Sequence, residues 1–215
     1  MSSNRGCFIT VEGGEGAGKS TALSVLTDWL QAQGIEAEFT REPGGTEISE
    51  KIRDLLLDAR LQEMTPVTEL LLMFAARAQH VAERIMPALE AGKWVVCDRF
   101  TDSSHAYQGA GRGIDHGLIN QLAAIAHPKL VPDLTLLLDV PVEVGLARTR
   151  NRSVKADRFE GEKLAFFERV RIGFLERAAA EPHRFALIDA SRSPNEVAAQ
   201  LTNALAAFSK RRGIA

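Results

Sequence analysis

Cysteine is scarce: the 215-residue chain has two, Cys7 and Cys97, each inside an apolar run. Two such thiols make no disulfide framework; small buried cysteines in a reducing compartment are the expected state. Long hydrophobic runs are also missing. Leu134–Leu138 is among the longest, far short of the ~20 apolar residues that cross a bilayer. No charge sign dominates, because 26 Lys+Arg stand against 28 Asp+Glu for a formal net charge of −2. A nucleic-acid binder usually carries a basic footprint, so no such partner is expected, nor a membrane. Met1–Gly6 is polar and runs into a strand-like stretch instead of the apolar segment of a secretion signal, which gives an expected location in the cytoplasm. Internal repeats, low-complexity tracts and separating linkers are absent from the sequence. The 45% hydrophobic and 25% charged residues are those of an ordinary globular protein, and the length predicts one domain over residues 1–215.

Short β-rich runs alternate with longer stretches of helical period. Strands are predicted at Cys7–Val11, Ala37–Thr40, Trp94–Cys97, Leu134–Leu138 and Ala186–Ile188. The first, third and fourth are nearly continuous apolar runs, as strands covered on both faces require. Between them, Lys19–Gln33 repeats leucine on one face and stops near Gly34. Thr65-Pro66 reads as an N-cap with proline in the first turn, opening a helix to about Glu90. Ser193-Pro194-Asn195-Glu196 is a capping box before a last helix with Val197, Leu201, Leu205 and Phe208 on one side. Such alternation gives right-handed crossovers and a parallel sheet with helices on both faces. Ligands of such sheets sit beyond the carboxyl ends of the strands.

At that position follows Gly13-Gly14-Glu15-Gly16-Ala17-Gly18-Lys19-Ser20, which matches G-x-x-x-x-G-K-[ST] between a strand and a helix. Glycines let successive N–H groups turn towards phosphate oxygens, and the helix start adds partial positive charge. Lys19 suits the outer phosphates and the Ser20 hydroxyl suits Mg²⁺; this segment and the next residue, Thr21, are assigned to ATP. The expected fold class is therefore α/β, a three-layer P-loop NTPase fold with a central parallel sheet of about five strands. An Asn-Lys-x-Asp guanine-reading motif and an ABC-type Ser-Gly-Gly signature are both lacking. The chain is also short for a motor or helicase, which leaves a small-molecule kinase.

Five further segments, taken with the P-loop, resemble thymidylate kinases of the bacterial type: Arg41-Glu42-Pro43-Gly44-Gly45-Thr46, Phe74-Ala75-Ala76-Arg77, Asp98-Arg99-Phe100, Ser104-His105-Ala106-Tyr107-Gln108-Gly109 and the arginine-rich Arg148–Arg158. The resemblance implies phosphorylation of dTMP by ATP with Mg²⁺, and usually a homodimer. It implies an acceptor region over about 41–112, with Arg41 and Pro43 walling the site and Glu15 near the acceptor's sugar and phosphate. Phe74 is implied against thymine and Arg77 against base and phosphate. Arg99 is implied on the acceptor phosphate, while Asp98 joins Ser20 in positioning Mg²⁺. Ser104 and Gln108 can read a pyrimidine edge, and Tyr107 can crowd a ribose 2′-hydroxyl. A basic lid over about 148–160 would supply Arg152 and Arg158 to the transferred phosphoryl group and Arg148 to the adenine side. With Lys19, Asp98 and Arg99, these two lid arginines form the expected catalytic set. His80 and His105 lack partners at metal-ligand spacing and are expected to face solvent. A deoxynucleoside kinase using Glu12 or Glu42 as base is an alternative enzyme, and a P-loop regulatory protein an alternative class.

Overall fold

A computed structural model of the chain describes residues 5–61, 63–150, 158–159 and 162–213. Five strands occur among them: β1 (Phe8–Gly13), β2 (Ala37–Arg41), β3 (Trp94–Asp98), β4 (Leu134–Asp139) and β5 (Phe185–Asp189). All pairings are parallel, in the order β2-β3-β1-β4-β5. The predicted strands are all present, each longer by one or two residues.

Side-chain alternation along β1 divides the core. Cys7, Ile9 and Val11 point to one face, where they meet α1 (Lys19–Ala32) and α9 (Pro194–Arg212) through Leu26, Leu30, Leu201 and Leu205. Phe8, Thr10 and Glu12 have the opposite parity. Phe8 packs there with Val95, Cys97 and Phe100, and the Thr10 hydroxyl bonds that of Thr135 at 2.8 Å. That second face is covered by α3 (Pro66–His80), which continues through a π-helical Val81–Ile85 into α4 (Met86–Glu90), and by α8 (Leu164–Ala180). The remaining helices are α2 (Glu47–Leu57), α5 (Thr101–Ser104), which runs on into a π-helical His105–Gly111, α6 (His116–Ala126) and α7 (Val142–Arg150).

The helix signals act as their chemistry requires. Thr65 Oγ1 accepts from the Thr68 N–H at 3.2 Å, and Ser193 and Glu196 form the reciprocal capping box. Thr46 caps α2 in the same way, although the sequence offers no long apolar stripe to announce that helix. The segment opening at Ser104 differs from expectation: its helix already starts at Thr101, and Ser104 and Gln108 stand on either side of the switch to π-helical turns.

Candidate active site

The carboxyl ends of β1, β2 and β3 open into one cavity of ≈ 340 Å³. Glu15, Gly16, Ala17, Gly18, Lys19 and Ser20 form its floor, and Arg41, Glu42 and Pro43 line the side that follows β2. Asp98, Arg99 and Ser103 come from the turn after β3, and Ser104, Tyr107 and Gln108 from the helix beyond it. Arg77 reaches in from α3. Segments as far apart in sequence as Glu15 and Gln108 thus share one space because parallel strands bring all their carboxyl ends to the same edge.

Two P-loop glycines, Gly13 and Gly16, leave no room for a side chain. Gly16 has φ +68°, and a Cβ there would lie 2.0 Å from the Gly145 carbonyl of α7. Gly13 and Gly14 sit beneath, against Leu138 and Val140, and outside the cavity lining. Gly18 at φ +93° turns the chain into α1. Burial lowers the Lys19 ammonium's pKa, and the nearby Arg99 adds to that. Thr21 lies one residue farther along α1, exposed and outside the lining.

Arg99 occupies the left-handed region at φ +71°, which is rare for a non-glycine residue. Its guanidinium donates to the Gly13 carbonyl (3.1 Å), Ser103 Oγ (3.2 Å), Glu15 Oε1 (3.0 Å) and Tyr107 Oη (3.0 Å). Tyr107 in turn donates to Glu15 Oε1 at 2.8 Å. The turn is clamped from below by Glu12, fully buried, which accepts from the Phe100 N–H at 2.7 Å and from Ser103 Oγ at 2.6 Å. Burial, reinforced by the nearby Asp102, pushes the Glu12 carboxyl up to about 7. Asp98 Oδ1 is buried with no hydrogen-bond partner among the described residues. An orphaned carboxylate oxygen in the same cavity lining as the Ser20 hydroxyl is chemistry suited to Mg²⁺.

Arg77 is 2% exposed. It donates to Glu42 Oε2 (2.6 Å), Ser104 Oγ (3.0 Å) and the Phe100 carbonyl (3.1 Å). Glu42 also meets His80 Nδ1 at 3.0 Å, and His80 Nε2 reaches Thr40 Oγ1 at 2.6 Å. Arg77, despite the cost of burying Glu42, holds its carboxyl below the usual range.

Several expectations need correction. Phe74 does not line the cavity; it is 4% exposed and packs with Leu70 and Ile119. Its ring lies 4.7 Å from the Arg77 guanidinium carbon, so it supports that arginine. Met73 lines the cavity instead. Both the i−3 and i−4 neighbours of Arg77 flank it on a helix, and the cavity opens on the i−4 side. Arg158 is turned away as well: 4% exposed, it donates to Glu69 Oε2 at 2.6 Å and to the Leu56 carbonyl at 3.0 Å. The buried carboxylate of Glu69, invisible as a partner in the sequence, captures it. His80 and His105 are buried, not solvent-facing; His105 Nδ1 lies 2.9 Å from His116 Nδ1, and burial brings its pKa down to about 4. Arg148 is exposed on α7 and donates to the Ala190 carbonyl at 3.0 Å, near the Gly16 carbonyl. Arg152, with most of the expected lid, lies outside the described residues. Arg41 is tied to Glu50 by two bonds of 2.9 and 3.0 Å. Arg53, Leu57, Met73, Ser103, Thr149 and Phe159 join the lining without having been singled out; Thr149 and Phe159 fall within the expected lid, and the other four in no recognisable motif. Among the described residues no group of three or more His, Cys, Asp or Glu could hold a metal, and no helix is long and apolar enough to cross a membrane.

A glycine-lined phosphate loop, a half-buried lysine at its helix and arginines gathered across the cavity define a P-loop phosphotransferase fold and site. The family model described as thymidylate kinase matches residues 11–201. Similar proteins include a thymidylate kinase of Chromohalobacter salexigens, 57% identical over 209 residues, covering 95% of this chain and 99% of that one. Another, from Alkalilimnicola ehrlichii, is 55% identical over 202 residues, covering 94% and 93%. Among solved structures, the crystal structure of thymidylate kinase from Ehrlichia chaffeensis superposes with a TM-score of 0.75 at 35% identity, covering 94% of this chain and 99% of that one. The chain belongs to the thymidylate kinase family, and is a kinase.

Proposed function

We propose that the whole chain works as one domain that moves the γ-phosphoryl group of ATP directly onto the phosphate of dTMP, giving ADP and dTDP. The observation carrying this reading is the convergence of Lys19 and Ser20 with Arg77, Arg99 and Arg41 around one cavity. One end is built for a triphosphate and the other offers guanidinium groups to a second phosphate. No protein nucleophile is needed: the attacking oxygen belongs to the acceptor phosphate, the bond from the γ-phosphorus to the bridging oxygen breaks, and ADP leaves with that electron pair. The protein aligns the two ends and neutralises charge on the passing group. Lys19 serves the outer phosphates, Arg99 the acceptor phosphate, and Arg77, Ser104 and Gln108 the base. Tyr107, braced by Glu15 and Arg99, stands against the sugar. Asp98 and Ser20 would hold Mg²⁺, which supplies charge neutralisation when bound. Arg148 flanks the adenine side and Arg152 belongs to a lid over about 148–160.

A kinase of free deoxynucleosides would need a carboxylate base at the acceptor hydroxyl. Glu42 is engaged by Arg77 and His80, and Glu12 lies beneath the turn, outside the cavity lining. Both arrangements favour an acceptor that already bears a phosphate.

The protein acts as a homodimer in this reading. Ile48 and Leu55 of α2, Val67 and Leu71 of α3, and Leu118 and Ile125 of α6 are exposed, Ile125 at 78%. α3 packs against both α2 and α6, so these three neighbouring helices carry exposed apolar side chains suited to a second copy. The balanced charge supports no nucleic-acid partner, and the cytoplasm is the expected place of work. ADP release is measured with ATP and Mg²⁺ alone, then with dTMP or thymidine added. Strong stimulation by dTMP is expected; stimulation by thymidine alone, or by neither, refutes the reading.

A further inference from the structure

The base end of the cavity contains an amide whose orientation is dictated from behind. Gln108 is 1% exposed and lines the cavity, and its Nε2 donates to Glu69 Oε1 at 2.8 Å. Glu69 is fully buried in the first turn of α3. Its Oε2 accepts from Arg112 at 3.1 Å and from Arg158 at 2.6 Å. A carboxylate between two guanidinium groups offers acceptors only, so the NH₂ end of the Gln108 amide must face it. The bond uses the nitrogen end of the amide and leaves the carbonyl end to the cavity. Beside it, Arg77 is fastened to Glu42, Ser104 and Phe100 through three of its five N–H groups. The cavity lining therefore offers both an acceptor, from Gln108, and donors, from Arg77.

That pattern complements one class of pyrimidine. Thymine and uracil offer an N3–H donor beside the 4-carbonyl acceptor. Cytosine offers the reverse, an N3 acceptor beside a 4-amino donor, and would leave polar groups unmatched at both positions. We propose that Glu69 is a specificity-determining positioning residue: by holding the amide nitrogen of Gln108, it turns the carbonyl to the cavity and selects imide pyrimidines over cytosine. The proposal rests on the reading of this cavity as the acceptor-nucleotide site.

The test is Glu69→Gln, which keeps the shape but can offer its own NH₂ to Gln108 and so removes the compulsion. kcat/KM is measured for dTMP and for dCMP, together with the KM for ATP. The dTMP-to-dCMP ratio is expected to fall by about tenfold or more with little change in the KM for ATP; an unchanged ratio overturns the proposal. In a Gln108→Ala background, Glu69→Gln is expected to leave the ratio where Gln108→Ala put it, and a further fall of similar size would overturn it. If Glu69→Gln does not fold, the Gln108 side-chain NH₂ resonances of the wild-type protein are followed by NMR. Protection from exchange both before and after dTMP is added is expected, and loss of protection on binding overturns the proposal. A wild-type protein that does not phosphorylate dTMP refutes the reading of the site; wild-type turnover with an unaltered ratio in the variant refutes the role of Glu69 alone.

Discussion

Replacing Glu12 by glutamine should stabilise the protein above pH 7 while impairing turnover. Glu12 is fully buried, between the Phe100 N–H and the Ser103 hydroxyl, under the left-handed turn that presents Arg99. Burial first, and Asp102 second, raise its carboxyl from 4.5 to about 7. Between those values the folded state keeps a proton that the unfolded chain has released. Stability contributed by this group therefore falls as pH rises through that window, and the loss is complete above pH 7. At ~1.36 kcal/mol per pH unit the full cost is about 3 kcal/mol. Below pH 4.5 both states are protonated and the group contributes no difference. His105 and His127 act with the opposite sign, because burial holds each down to about 4 in the folded state against 6.5 unfolded. The wild-type curve alone mixes these slopes, so the quantity to read is the difference between wild type and Glu12→Gln. Urea unfolding at intervals from pH 4.5 to 8.5 should show the variant gaining about 3 kcal/mol relative to wild type across the range. A difference that does not change with pH refutes the reasoning. Turnover above pH 7 should fall, since the clamp beneath the Arg99 turn would lose its charge.

Lys19→Ala should lower kcat by at least about 10²-fold with the fold intact by circular dichroism; near-normal turnover would contradict the phosphate role. Gly16→Ala forces a Cβ to within 2.0 Å of the Gly145 carbonyl, so the KM for ATP should rise steeply, or the protein should lose cooperative unfolding. Glu42→Ala leaves the buried Arg77 without its counter-charge and should cost about 3–5 kcal/mol by urea unfolding. Ile125→Glu places a charge on the exposed apolar face and should shift sedimentation towards a monomer.

The legible part of the site is its local part. The loop from Gly13 to Ser20 is written contiguously, and its function follows from backbone geometry that eight neighbouring residues impose on themselves. Asp98-Arg99 could be read because a strand ends just before it, and strand ends set the ligand edge. Phe74 and Arg158 could not be read this way. Helical period puts both Met73 and Phe74 beside Arg77, and only the docking of α3 against Ile119 of α6 decides which of them meets the cavity. Arg158 looked like one basic residue among several, yet Glu69, 89 residues earlier, takes it inward. His80 could not be read from the sequence for the same reason: its partners, Glu42 and Thr40, come from the turn after β2 and the end of β2.

By itself the sequence determined the five strands in order, several of the helices with their caps, the phosphate loop and the family resemblance, since each depends on residues within a turn or two of one another. Tertiary structure decided which charges are spent on one another and which are turned to a ligand. Glu12, Glu42 and Glu69 are ordinary glutamates in the sequence. Burial beside particular partners makes them the supports of Arg99, Arg77 and Gln108, because a carboxylate out of water must find its donors wherever the packed chain brings them.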